Sequence, residues 1–507
     1  MTEAGVDIRQ GVDAALLERE RTLSRRLNAR AQLLTRSDNS PEQAAALKEE
    51  ISALENEYQQ TQVEIRRTSP RYAALTQPQP LRLGEIQRQL DEETVVLEYS
   101  LGDERSFLWA ITHNSLTSHE LPGREQIEQA AQRALGLLTA RGRLLKAETA
   151  AQRRARLAEA GAQLPEAVRR LSQTLLSPVA AELGNKRLAI VADGALQYLP
   201  FAALPAPQTK GASQRPPRPL IADHEIVNLP SASTLAVQRR EQAGRQTAPK
   251  TLAVIADPVF SASDDRMKSL ALGSPQADSA PVGVEATRII EHLAENSTAG
   301  AAPKLVIPRL PFTRREADQI VAIASSSSGS SGSSGAEILK AVDFKASRQV
   351  AFDPELSQYR YVHFATHGLI DSERPGLSAL ALSLVDEQGR PQDGFLRAYE
   401  IYNLNLPADL VVLSACQTGL GKDVKGEGLV GLTRGFMYAG AARVVVSLWN
   451  VNDKATSELM AKFYQKMLKE GQRPAAALRS AQVEMLRSSQ WQSPYFWAAF
   501  TLQGEWR

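Results

Sequence analysis

A histidine and the only cysteine of the chain each follow a short apolar run and stand beside small residues. His367 follows the run 361–366 and precedes Gly368, and Cys416 follows the run 410–415. Continuous β-branched and aromatic runs are typical of buried parallel strands, and ligands and chemistry gather at the carboxyl ends of such strands. A third run over 443–449 predicts a further strand. We therefore expect His367 and Cys416 at neighbouring strand ends.

These two residue types could perform nucleophilic catalysis. Cysteine is nucleophilic as the thiolate, which needs a base or a positive environment at neutral pH. His367 would be that base, and the backbone N–H groups of Gly368 and Cys416 could stabilise a tetrahedral oxyanion. The two residues are 49 positions apart, close to the spacing of about 50 residues between the histidine and the Gln-Ala-Cys tripeptide of caspases.

Each residue also has a simpler interpretation. A cysteine at a strand end, taken alone, is more often a small buried hydrophobe than a nucleophile. A histidine at a strand end is likewise more often a hydrogen-bonding or surface residue. His363, four residues before His367, lies on the same face of the predicted strand. We interpret His363 as a structural or supporting residue rather than the base.

Composition excludes several classes of function. The 507 residues carry 59 basic and 57 acidic side chains, so charge gives no argument for binding nucleic acid or an anionic membrane. A single cysteine rules out an internal disulfide framework and a cysteine-rich zinc site. Without a clustered acidic loop for calcium, we expect neither metal nor cofactor. The absence of a signal-like N-terminus and of a long apolar run predicts a cytoplasmic protein.

The N-terminal region predicts two helices. Leucines at heptad-like intervals in 10–34, and apolar residues in 47–65, flank a turn at 37–41. This helical hairpin would either pack on the body of the protein or bind a partner. It is too short for an array of helical repeats, which needs about three units.

Residues 90–260 predict a first α/β unit. Strand-like runs at 94–99 and 106–112 form a plausible hairpin, helical spacing covers 124–180, and three further strand-like runs follow at 188–191, 225–229 and 251–256. We interpret Asp193-Gly194 and Asp257-Pro258 as turns. A long insertion over 261–310 and a Ser/Gly linker over 325–335 follow.

The C-terminal part predicts two helices and a last strand. An amphipathic helix over 455–469, with Gly471 near its C-cap, precedes a helix over 474–487. An aromatic turn then leads into the final strand.

The combined motifs resemble the CHAT domain, a caspase-like peptidase module related to separases, gingipains and caspases. They are His363–Gly368, Leu413–Gly419, Gly426–Gly428 with Ala439–Ala441, Ser447–Asp453 and Pro494–Phe500. Motifs at 193–201, 230–233 and 257–258 also resemble the N-terminal half of the family, so the likeness covers about 80–507. The resemblance implies a caspase-like, mainly parallel sheet flanked by helices, in two tandem α/β units. The expected domains are a hairpin at 1–78, a pseudo-peptidase-like half at 79–335 and a catalytic half at 336–507.

The resemblance also implies a cysteine endopeptidase with His367 as base and Cys416 as nucleophile. Asp453 matches the last acid of the separase-like Trp-Asp-Val-Thr-Asp motif, at the pocket for a basic P1 side chain; Glu427 and Ser447 are further candidates for this pocket. Asn450 replaces the first acid of that motif, which weakens the inference of a basic P1 residue. Asp453 could instead cap the helix that follows it.

Three functions remain open. The first is a regulated peptidase with a protein substrate and with a regulatory protein docking on the helical hairpin. The second is a catalytically latent CHAT-like scaffold, and the third is a Cys-His transferase or amidase that uses the same thioester chemistry.

Overall fold

The computed structural model describes most of the chain. The described residues are 12–34, 40–68, 79–143, 145, 147–207, 218–267, 307–327, 337–371, 374–419 and 427–507. Most of the predicted insertion and the Ser/Gly run beyond residue 327 lie outside these residues.

Within the described residues, thirteen strands form one mixed, mostly parallel sheet. Its main path has the order β10-β9-β8-β11-β12-β13-β5-β4-β1-β2-β3, and β6 and β7 are attached beside β8. The strands are β1 (Thr94–Ser100), β2 (Arg105–Ile111), β3 (Leu116–Pro122), β4 (Arg187–Val191), β5 (Ile226–Asn228), β6 (Lys250–Pro258), β7 (Ile338–Asp343), β8 (Tyr359–Ile370), β9 (Ala379–Ala381), β10 (Phe395–Arg397), β11 (Leu410–Gly419), β12 (Arg443–Ser447) and β13 (Phe500–Gly504).

Helices flank the sheet. They are α1 (Ala14–Leu34), α2 (Pro41–Thr68), α3 (Leu83–Gln87), α4 (Arg124–Leu138), α5 (Ala150–Leu176), α6 (Ala180–Leu183), α7 (Ala232–Gln242), α8 (Pro311–Ser327), α9 (Arg348–Phe352), α10 (Ala398–Ile401), α11 (Glu427–Tyr438), α12 (Asp453–Tyr464), α13 (Pro474–Arg487) and α14 (Pro494–Trp497). A π-helical turn, Gln465–Lys469, continues α12. Among the described helices, none combines the length and the apolarity that crossing a membrane requires.

The two predicted α/β units share this one sheet. The C-terminal strand β13 pairs antiparallel with β12 and parallel with β5, so it joins strands from both units. β6, which we predicted at the end of the first unit, pairs with β7 and β8. Residues 252–256 of β6 are all fully buried, so this strand needs a neighbouring strand on each side, and β7 and β8 provide them.

Several predicted elements are present. The antiparallel hairpin of β1 and β2, the parallel strands β8, β11 and β12, helix α13 and the final strand all lie where the sequence patterns predicted them. The predicted Ser/Gly linker begins later than expected, because Ser325–Ser327 form the last turn of α8. The hydroxyls of Ser326 and Ser327 donate to the carbonyls of Ile323 and Ala324 at 2.9 and 2.7 Å, which satisfies acceptors at the helix end.

The helical hairpin packs on the body beside β10 and α10. Leu23, Leu27, Ile51, Leu54 and Tyr58 form an apolar cluster with Tyr399. Beside this cluster, the buried Asn28 donates to Glu400 at 2.5 Å and accepts from Arg397 at 2.8 Å. The apolar stripe of the hairpin is therefore buried against the body, which was one of the two alternatives from the sequence.

Candidate active site

His367 and Cys416 are register partners on two adjacent parallel strands. In the β8–β11 ladder His367 lies opposite Cys416, between the pairs Thr366–Ala415 and Gly368–Gln417. Neighbouring strands are about 4.8 Å apart, so the two backbones are in direct contact. The side chain of Cys416 lies outside the described part of the structure.

Both residues lie inside their strands, which corrects the expectation that they follow the strand ends. β8 continues to Ile370 and β11 to Gly419. The reason is an additional antiparallel strand, since β9 pairs with residues 367–369 and keeps this part of β8 extended.

The ring of His367 is held in one tautomer. Its Nε2 lies 2.8 Å from the carbonyl oxygen of Pro308. A carbonyl only accepts, so Nε2 carries the proton and donates. The neutral ring then has its lone pair on Nδ1, which has no hydrogen-bond partner among the described residues. An imidazole in this state can accept a proton at Nδ1.

Burial keeps that ring neutral. The His367 residue is 3% exposed, and the ring of Phe260 packs edge-on against it with centroids 5.4 Å apart. Burial lowers the pKa of His367 from 6.5 to about 4, against the opposing effect of the hydrogen bond to Pro308. At neutral pH His367 is therefore a base with a free lone pair rather than a cation.

His363 has a different environment on the same strand. Its Nε2 lies 2.8 Å from Glu316 and its Nδ1 lies 3.1 Å from the hydroxyl of Tyr464. Burial raises the pKa of Tyr464 well above its ordinary value, so that hydroxyl stays protonated and can donate to Nδ1. Both ring nitrogens of His363 are satisfied, which leaves none for substrate chemistry.

The predicted oxyanion donors lie within the sheet. Gly368 has Gln417 of β11 on one side and Leu380 of β9 on the other, and Cys416 is paired with His367. An N–H group that bonds within a ladder is not available to a ligand. The oxyanion role of these two amides therefore stays a prediction.

The three candidates for the specificity pocket lie on different elements of the fold, at the ends of β12, α11 and α12. Asn452, not Asp453, caps α12, because its side chain accepts from the N–H of Ala455 at 3.1 Å. Asp453 begins the helix, and burial followed by the neighbouring charge of Glu316 raises its pKa from 3.8 to about 7. Ser447 is the buried last residue of β12, and the side chain of Glu427, at the start of α11, lies outside the described residues.

Four residues at the site were missed by sequence reasoning. Pro308 and Phe260 contact His367, and Glu316 contacts His363. Asp257 has a fully buried carboxylate, and the turn predicted at Asp257-Pro258 is wrong, because both residues belong to β6. Only Glu316 left a signal, as a charged residue on the apolar face of a helix. Among the described residues, no group of three His, Cys, Asp or Glu side chains could hold a metal ion.

Comparisons with known proteins identify relatives for part of the chain. The family model described as the CHAT domain matches residues 165–505. Tetratricopeptide repeat protein 28 of Homo sapiens is 38% identical over 113 residues, and that of Mus musculus is 39% identical over 109 residues. Each match covers 22% of this chain and 4% of the relative. The chain thus matches only a small part of the length of these curated relatives.

Two solved structures are similar at low sequence identity. The separase–securin complex of Saccharomyces cerevisiae matches with 12% identity and a TM-score of 0.44, over 83% of this chain and 31% of that chain. The Arg-specific cysteine proteinase gingipain R matches with 11% identity and a TM-score of 0.36, over 67% of each chain.

Proposed function

The chain belongs to the CHAT domain family, and we propose that it is a cysteine endopeptidase in which His367 activates Cys416. The observation that carries the proposal is the pairing of these residues across β8 and β11. In addition, the His367 ring is neutral and, among the described residues, has a hydrogen-bond partner on Nε2 but none on Nδ1. In this scheme residues 79–335 are a non-catalytic, pseudo-peptidase-like counterpart of the catalytic half.

The proposed reaction proceeds by acyl transfer. Nδ1 of His367 takes the thiol proton as sulfur attacks the peptide carbonyl, and a tetrahedral oxyanion forms. The C–N bond then breaks, and the imidazolium returns its proton to the departing amine. Water, deprotonated by the same nitrogen, hydrolyses the thioester and releases the acid product and the free thiol.

We place the oxyanion at the N–H groups of Gly368 and Cys416. Both residues are paired in the ladder described above. Where one of these N–H groups bonds within the ladder, binding of the oxyanion requires a rearrangement at the end of the β8–β11 ladder. A requirement of this kind fits a regulated enzyme.

We propose that Asp453 lies in the pocket for a basic P1 side chain, with Glu427 and Ser447 as further members. A partly buried carboxylate beside Glu316 is short of positive charge, and a guanidinium would supply it. Asn450 remains the argument against a strict preference for basic residues.

The helical hairpin is the proposed docking site for a regulatory protein. Leu377, in the connection between β8 and β9, packs against the hairpin cluster. Arg374 and Asp371 of the same connection act electrostatically on Glu55 of α2. This connection directly follows the strand that carries His367. A partner that shifts the hairpin would therefore move the connection and change the position of His367.

The second candidate function is a catalytically latent scaffold. The observation that favours it is the 3% exposure of His367, which is too low for a substrate to reach the ring in this conformation. A peptide chloromethyl ketone separates the two candidates, because it alkylates a cysteine only where a peptide can bind next to it.

The test uses the full chain with a positional-scanning library of fluorogenic peptides, and Cys416→Ala as the matched control. We expect cleavage that the substitution abolishes without changing the thermal midpoint. Cleavage preserved in Cys416→Ala would overturn the assignment. Silence in both proteins, with no chloromethyl ketone adduct on Cys416, would favour the scaffold.

A further inference from the structure

Two separate segments form the wall around the His367 ring. The first is 257–260, which comprises the last two residues of β6 and the two that follow, and which contributes Phe260 against the ring. The second is 307–310, directly before α8, which contributes the Pro308 carbonyl to Nε2. The two segments are distant in sequence, so something must hold them together at this point.

Asp257 and Arg309 make that connection. The guanidinium of Arg309 donates from Nε to Oδ1 of Asp257 at 2.9 Å and from Nη2 to Oδ2 at 2.8 Å. This two-pronged geometry fixes distance and orientation together. Arg309 directly follows Pro308, so the ion pair also restrains the peptide whose carbonyl binds His367.

The Asp257 end of this pair is rigid. Its side chain is fully buried, and its backbone has a φ of 49°, a conformation that costs energy for a residue other than glycine. The preceding residue, Ala256, pairs with Ala365 of β8, two positions before His367. The backbone N–H of Val259 donates to Ser383 at 3.1 Å and its carbonyl accepts from Leu384 at 2.9 Å. Segment 257–260 is therefore fixed relative to the strand that carries His367.

Two further arginines hold the Asp257 carboxylate. Arg314 of α8 donates to Oδ2 at 3.1 Å, and Nη1 of Arg266 lies 3.2 Å from the same oxygen. Because these cations remain when Arg309 is replaced, the buried carboxylate would not be left without a positive partner. Arg309 can therefore be changed without the large cost of an isolated buried charge.

We propose that Asp257 and Arg309 are positioning residues that hold the Pro308 carbonyl on Nε2 of His367 and thereby keep the lone pair on Nδ1. The catalytic consequence rests on the proposed peptidase function, whereas the effect on the ring does not. Without the ion pair, the peptide at Pro308 loses its two-pronged restraint, although Ile307 still packs beside Phe260, and the ring loses its fixed acceptor. The proton then exchanges between the two nitrogens, and the ring is free to rotate.

The experiment observes the ring itself in the full chain. The sequence has six histidines, so selective ¹⁵N-histidine labelling gives a simple spectrum, in which His367 is assigned by the signals missing from His367→Gln. In the wild type we expect a protonated Nε2, an unprotonated Nδ1 and a slowly exchanging imidazole N–H. In Arg309→Gln we expect this N–H signal to broaden or disappear.

Arg360→Gln is the matched control. Arg360 is also 40% exposed and is also bound to an aspartate, Asp409, at 3.0 Å, but it lies near the other end of β8. We expect both variants to lose similar stability, and only Arg309→Gln to change the His367 signals. Arg309→Lys keeps the charge without the two-pronged geometry and should give an intermediate result.

An unchanged His367 tautomer and N–H signal in Arg309→Gln would overturn the proposal. If that variant does not fold, the same result in Arg309→Lys would overturn it.

Where peptide cleavage is measurable, we expect Arg309→Gln to lower kcat/KM by about tenfold to a hundredfold, because misplacement by about 1 Å can cost that much. If the wild type cleaves no peptide, the spectrum still decides this inference, so its failure is distinguishable from failure of the proposed function.

Discussion

The middle of β8 and its C-terminal part each contain a buried histidine, and the two rings are treated differently. His363 has a partner on both nitrogens, Glu316 and Tyr464, whereas His367 donates only to Pro308 and has no described partner on Nδ1. Both lie on one face of one strand, four residues apart, at 0% and 3% exposure. Burial alone therefore does not distinguish a structural histidine from a candidate base; the unfilled nitrogen does.

The difference arises from what covers the strand. Helices α8 and α12 cover the middle of β8 and bring Glu316 and Tyr464 onto His363. Towards the C-terminal part of β8, the cover is formed by segment 307–310, which precedes α8, and by segment 257–260 at the end of β6. Loop segments can present a backbone carbonyl where helices cannot, because the carbonyls inside a helix are already bonded.

The largest expected effect is that of His367→Ala. Removal of the base should lower kcat/KM for peptide cleavage by about 10²- to 10⁴-fold, with only a modest loss of stability, since a single carbonyl loses its donor. His224→Ala is the matched control, because His224 is also buried, at 4% exposure, with Nδ1 2.8 Å from the carbonyl of Lys186. Equal activity losses in both variants would contradict the assignment of His367 as the base.

His363→Ala should show the opposite pattern. It leaves Glu316 and the Tyr464 hydroxyl buried without their shared partner, and we expect the free energy of unfolding to fall by about 3 kcal/mol. Denaturant titration measures this, and the activity of the remaining folded protein should fall far less than in His367→Ala. A full loss of activity in folded protein would mean that we have assigned the base to the wrong histidine.

The pH dependence of activity and stability tests whether His367 is a buried base without removing either histidine. Above its pKa, His367 is neutral and can accept the thiol proton; below it, the protonated ring cannot. Because burial lowers this pKa from 6.5 to about 4, the acid limb of kcat/KM should lie well below 6.5. The protein should also lose stability as the pH falls from 6.5 towards 4, since the unfolded chain binds the proton more readily over that range. An acid limb near 6.5 would contradict a buried base.

Asp453→Asn should have the smallest effect. It tests whether Asp453 lies in the pocket for a basic P1 side chain. We expect kcat/KM for substrates with Arg or Lys at P1 to fall about tenfold, with neutral substrates unaffected. Because the pKa of Asp453 is raised from 3.8 to about 7, ionisation of this carboxyl costs the wild type stability as the pH rises over that range, and the variant should be the more stable protein at pH 7 and above. Glu458→Gln, an exposed change on α12, is the control. A uniform loss across substrates would argue against the pocket.

The sequence predicted the parts of this site that depend on local pattern. The apolar runs of β8, β11 and β12 required neighbours on both sides, so the sequence alone predicted that His367 and Cys416 lie together. The partners of His367 could not be predicted, because Pro308 and Phe260 reach it through loops whose path no periodicity encodes. Asp257-Pro258 illustrates this limit, since its residue types indicate a turn equally well whether the carboxylate faces water or, as here, three arginines.

Short or exposed edge strands were the part of the fold that was missed. β3 alternates between exposed and partly buried residues and buries only Leu121 fully, and β9 and β10 have three residues each. β3 carries little apolar signal because most of its residues are not buried, whereas β9 and β10 are fully buried but too short to show a period. β9 is the most consequential omission, since it is the strand that extends β8 past His367.

The rate at which iodoacetamide alkylates Cys416 at neutral pH shows directly whether His367 is the base of Cys416. Cys416 is the only thiol in the chain, so the total label reports one site and no substrate is required. If His367 is the base of Cys416, the wild type and His224→Ala should react at least about tenfold faster than His367→Ala. Equal rates in all three proteins would contradict the assignment of these residues as a catalytic pair.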